Sequence, residues 1–75
     1  MKDMNAEIGK AMKKFRKQKH LSMQYVADKV GVTRTAVHYW ETGKRTIYAS
    51  NLLEYCKAIG VNVNDVIAEV DNASL

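Results

Sequence analysis

The sequence has 75 residues, 47% of them apolar, with no proline, a single cysteine and a formal net charge of +4. That length holds one small domain, the apolar share is too high for a disordered tail, and no apolar run approaches the roughly 20 residues that span a bilayer. Asp3 and Glu7 interrupt the N-terminus where a signal peptide would carry an apolar core, and the lone Cys56 lacks an internal disulfide partner, so a soluble cytoplasmic protein is expected.

A first helix is predicted over about Asn5 to Lys19, because Ile8, Ala11, Met12 and Phe15 recur at the spacing that stacks side chains on one helical face. Lys10, Lys13, Lys14 and Lys17 fall mostly outside that stripe. Ser22 is a good N-cap for a second helix, with Val26, Ala27 and Val30 inward and Gly31 as its left-handed stop. Thr33 caps a third helix, whose inner face is Ala36, Val37 and Trp40 and whose end is Gly43. The second and third helices are short and joined by about three residues, the spacing of a helix-turn-helix.

A fourth helix is predicted over Tyr48 to Ile59, with Leu52, Leu53, Cys56 and Ile59 inward and Gly60 as its stop. Asn62 caps a fifth, in which Val66, Ile67 and Val70 face the core, and the chain is expected to fray from Asp71. The result is one all-α domain over 1–75, with a core over about 5–70 and the helix-turn-helix at about 22–41.

Charge is distributed unevenly along this frame. From Lys10 to Arg45, ten Lys/Arg face only Asp28 and Glu41, a balance of +8, whereas from Thr46 onward the balance is −3. A concentrated basic half is the electrostatic footprint of a polyanion binder. An enzyme is not expected: His20, His38 and Cys56 form no metal-spaced set, and no phosphate loop or nucleophile motif is present, so neither metal nor cofactor is called for.

The run Leu21 to Thr33, continued by Arg34 to Arg45, resembles the phage repressor and Cro-like (XRE-type) helix-turn-helix family. The resemblance rests on Ala27 in mid-helix, Gly31 in the turn, Val37, and Trp40-Glu41-Thr42-Gly43, and extends from Ile8-Gly9 and Arg16 to Ala58-Ile59-Gly60-Val61. It implies a compact five-helix, repressor-like DNA-binding domain, with Arg16 paired to Glu41 between the first and third helices. Four positions depart from the family: Met23 stands where a glutamine commonly meets phosphate, His20 at a usual glycine, Ile47 at a frequent proline and Cys56 at a usual alanine.

In such a motif the N-terminal part of the third helix enters the major groove of double-stranded DNA. With Ala36, Val37 and Trp40 inward, Arg34, Thr35, His38 and Tyr39 are left outward as candidate base readers. Arg34 can donate a bidentate pair to guanine, Thr35 can bond a base edge or meet a thymine methyl, and Tyr39 can reach a base or a phosphate. Ser22 and Gln24 beside one helix N-terminus and Thr33 at the next are candidate phosphate contacts, and the resemblance adds Lys44 and Arg45 in the following loop. The implied role is a sequence-specific transcriptional regulator, of the kind found in a phage or prophage switch.

A second class of function stays open. The same helix surface suits an acidic protein, so a modulator that engages a partner regulator (an antirepressor, co-repressor or antitoxin) is the alternative. A homodimer fits either case, with Val61, Val63, Val70 and Leu75 as candidate contact residues.

Overall fold

The computed structural model describes residues 3–74, the side chains of 73 and 74 apart, and Leu75 lies outside that range. Among the described residues all regular structure is helical: α1 (Met4–Gln18), α2 (Met23–Val30), α3 (Arg34–Thr42), α4 (Ala49–Ile59) and α5 (Val63–Ser74).

The helix boundaries follow from local chemistry. The Asp3 carboxylate caps α1 by accepting from the Asn5 N–H at 3.1 Å. The Ser22 hydroxyl caps α2 through the Tyr25 N–H at 3.0 Å, and Thr33 caps α3 through the Ala36 N–H at 3.1 Å. Between them Gly31 takes φ 85°, a left-handed conformation that turns the chain within three residues. At α4 the N-cap is Tyr48, whose side chain makes no capping bond. Asn62 caps α5 through the Asn64 N–H at 2.8 Å. The helix continues to Ser74 rather than fraying at Asp71, since neither glycine nor proline follows Val70 to stop it.

The core lies where α1 packs on α3 and α5 while α2 packs on α3 and α4. Met12, Val26, Val37, Tyr55 and Val66 are its largest fully buried side chains, and burying the methionine and each valine is worth about 1.5–3 kcal/mol. Two inward expectations fail. Leu53 is 49% exposed and Ile67 is 52% exposed. The inner stripe of α4 runs through Leu52, Tyr55, Cys56 and Ile59, at helical spacing, and leaves position 53 on the flank. Ile67 sits at the rim of a shallow apolar groove with Met4, Ile8 and Leu52. Val70 is a buried core residue, which removes it from the candidate dimer contacts, and Val61 and Val63 are half-buried against the same core.

Two backbone features set how α1 sits. Gly9 is buried where α1 crosses the end of α3, and a Cβ there would lie 2.6 Å from the Glu41 carbonyl oxygen and closer still to that of Trp40. His20, after α1, holds φ 58°, a conformation that costs a side-chain-bearing residue roughly 1–2 kcal/mol. Both features predict stability changes. Gly9→Ala should lower the free energy of urea unfolding by about 1–3 kcal/mol, because only backbone is there to yield. His20→Gly should raise it by up to about 1 kcal/mol. Unchanged stability in the first, or a loss in the second, would contradict the packing and the strain described.

Candidate nucleic-acid interface

The third helix is placed by a buried polar knot. Arg16 and Glu41 are only 6% and 4% exposed. The guanidinium donates from Nε to Glu41 Oε2 at 2.7 Å and from Nη2 to Oε1 at 3.0 Å, the two-pronged geometry that a planar fork matches best. Its third prong, Nη1, donates to the Leu21 carbonyl at 2.7 Å, tying in the turn before α2. Tyr55 from α4 donates its hydroxyl to Glu41 Oε2 at 2.6 Å and lies 3.3 Å from the Met12 carbonyl. Among the described residues no buried side-chain nitrogen or oxygen lacks a partner, so the desolvation of these charges is compensated.

The knot fixes protonation as well as position. The hydrogen bond to Glu41 holds the Arg16 guanidinium above its ordinary range, against the opposing effect of burial. Burial, and then the hydrogen bond to Glu41, push the Tyr55 phenol well above its ordinary value. Tyr55 was missed by sequence reasoning. The available signal was its place three residues after Leu52 and four before Ile59, on the inner stripe of α4, which its polar hydroxyl disguised.

With Ala36, Val37, Trp40 and Glu41 turned to the core, the other face of α3 is free. Arg34, Thr35 and His38 are exposed, Tyr39 is half-buried, and these four line one shallow cleft with Met23 and Lys44. Met23 enters from the first turn of α2 as an apolar wall, its side chain packed against the core. The His38 and Tyr39 rings lie 6.0 Å apart.

The candidate phosphate contacts surround rather than line this cleft, Lys44 excepted. Ser22 and Thr33 use their hydroxyl oxygens to cap helices, which leaves each hydroxyl hydrogen able to donate outward. Gln24 is exposed and donates from Nε2 to Asp28 Oδ1 at 2.8 Å, retaining its second amide hydrogen. Lys44 Nζ and Arg45 Cζ lie over the Tyr39 ring, 5.8 and 5.3 Å from its centre. Cys56 is buried, and its thiol is raised by that burial and by Asp65, so it behaves as a small core residue. Among the described residues no His, Cys, Asp and Glu cluster is arranged to hold a metal ion, and no helix is long and apolar enough to cross a membrane.

A helix-turn-helix family model matches residues 12–66, from within α1 to the first turn of α5. The chain belongs to the XRE-type helix-turn-helix family. It is thus a DNA-binding transcriptional regulator of that type. Control protein C.MunI of a Mycoplasma species is 28% identical over 72 residues, which cover 95% of this chain and 97% of the relative. Two solved structures share the fold. The clp gene regulator ClgR of Corynebacterium glutamicum superposes with a TM-score of 0.91 at 24% identity, over 95% of this chain and 92% of that one. The restriction-modification controller protein C.AhdI of Aeromonas hydrophila gives 0.77 at 24% identity, over 81% and 92%.

The knot of this regulator predicts both a stability loss and an alkaline limit. Tyr55→Phe removes a hydrogen bond to a buried carboxylate and should lower stability by about 1–3 kcal/mol near neutral pH. Because the folded phenol value is raised, the stabilisation is intact below the free phenol value of about 10. Above it the unfolded chain sheds the proton that the folded chain keeps, so stability falls as pH rises. Urea unfolding near neutrality and about one unit above the free phenol value should show that fall in the native chain and less of it in Tyr55→Phe. Equal falls would place the alkaline sensitivity elsewhere.

Proposed function

We propose that this regulator binds duplex DNA in a sequence-specific way, with Arg34, Thr35 and His38 presented to base edges of the major groove from the outer face of α3. The observation that carries the reading is the gathering of these side chains, with Tyr39 and Lys44, in one cleft on the face of α3 turned away from the core. Around it Ser22, Gln24, Thr33, Lys44 and Arg45 serve as phosphate contacts, which fix register without reading sequence. The N-termini of α2 and α3 add the positive end of each helix dipole to the capping hydroxyls.

The binding unit is a homodimer on two half-sites about one DNA turn apart, the geometry usual for this motif. Val61 and Val63, with the exposed Leu53, are the apolar groups available for it where α4 meets α5. Two settings suit such a regulator: a phage or prophage switch, and control of a restriction-modification system. The likeness to a control protein over almost the whole of both chains, together with the shared fold of a restriction-modification controller protein, supports the second.

Paired substitutions separate reading from clamping. On its preferred duplex, Arg34→Ala should lose about 1–3 kcal/mol of discrimination against altered sites. Lys44→Ala should instead weaken preferred and random duplex alike, and reduce the slope of log affinity against log salt by about 0.9. Titration of both variants across a salt series decides. Equal discrimination in the two variants would overturn these roles. A native chain that binds no duplex but captures another regulator would make the protein-binding modulator the correct reading.

A further inference from the structure

Tyr39 differs from the other side chains of the cleft. Arg34, Thr35 and His38 are exposed, whereas Tyr39 is half-buried. Lys44 Nζ and Arg45 Cζ both lie over that ring, at 5.8 and 5.3 Å from its centre. The backbone joins the same residues: the Arg45 N–H donates to the Tyr39 carbonyl at 3.3 Å, and Thr42 Oγ1 lies 3.4 Å from that oxygen. Among the described residues neither Lys44 nor Arg45 forms an ion pair.

These observations meet in one physical problem. Two adjacent cations repel each other, and long side chains on an irregular loop would spread into solvent, with an entropy to lose again on binding. The negative face of an aromatic ring and the negative end of α3 attract both cations without neutralising them. A carboxylate in the same place would hold them more firmly but would compete with phosphate.

We propose that Tyr39 is a positioning residue, whose ring holds Lys44 and Arg45 at the edge of the reading cleft with their charges available to the DNA backbone. The inference rests on the DNA-binding reading above and gives that reading its loop: the helix that reads bases also carries the platform for the cations that clamp the strand. The ring carries this role; the sequence-based expectation that Tyr39 contacts a base or phosphate, which would need its hydroxyl, is the competing role that the test below decides.

The test compares Tyr39→Phe, which keeps the ring, with Tyr39→Leu, which keeps bulk and removes it; a melting curve for each confirms folding. Without DNA, ring-current shifts of the Lys44 ε-methylene and Arg45 δ-methylene protons should appear in the native chain and in Tyr39→Phe, and vanish in Tyr39→Leu. With DNA, Tyr39→Phe should bind as the native chain does. Tyr39→Leu should lose roughly 2–5-fold for each cation released, on preferred and random duplex alike. In a Lys44→Ala, Arg45→Ala background it should lose nothing further, as a shared effect requires.

Loss of sequence preference in Tyr39→Phe would make the hydroxyl a base reader and overturn the proposal. So would methylene shifts indifferent to Tyr39→Leu in a chain that binds DNA. Normal shifts in a chain that binds no duplex would overturn the DNA-binding reading and this role with it, while leaving the ring contacts established.

Discussion

The bidentate bond between Arg16 and Glu41 is the constraint on which the rest of the structure depends. It joins the last turn of α1 to the end of α3, and through the Leu21 carbonyl and the Tyr55 hydroxyl it reaches the turn before α2 and the inner face of α4. Opening a buried pair of this kind costs about 3–5 kcal/mol, because the abandoned charge remains out of water. A small domain has roughly 5–15 kcal/mol of stability in total. One side chain therefore decides a large part of whether the fold holds.

A nine-residue helix such as α3 is not stable by itself in water and takes its position from what it packs on. Here it is held at the C-terminal end, by the knot and by the close approach of α1 at Gly9. Its inner face is also buried at the N-terminal half, through Ala36 and Val37, so Arg34 and Thr35 are left on the outer side of a helix held along its length. The orientation of the outer face of α3 is thus a consequence of core packing on the opposite face of the same helix. Directional hydrogen bonds fix the angle of the C-terminal end in a way that apolar contact, which is non-directional, does not.

Much of this was legible in the sequence, for reasons that attach to particular residues. Ser22, Thr33 and Gly31 marked the helix-turn-helix because caps and turns depend on local chemistry that neighbours scarcely alter. Arg34, Thr35 and His38 followed by complement, once Ala36, Val37 and Trp40 were assigned to the core. The helical period was less decisive on α4 and α5, where Leu53 and Ile67 each stand one position from a true core residue. A stripe carrying apolar groups at adjacent positions has two acceptable rotations, and only the partner helices select one. Tyr55 stood on the inner stripe of α4 but was disguised by its polar hydroxyl, and Tyr39 beneath Lys44 and Arg45 was not legible, because that contact is with an irregular loop, for which periodicity carries no signal.

The most direct test of the account is the affinity of the purified protein for duplex DNA from upstream of its own gene, measured beside random duplex across a salt series. The account predicts a clear preference for the upstream duplex, with binding to both weakening steeply as salt rises. Equal affinity for the two duplexes at every salt concentration would contradict the claim that the α3 face reads sequence.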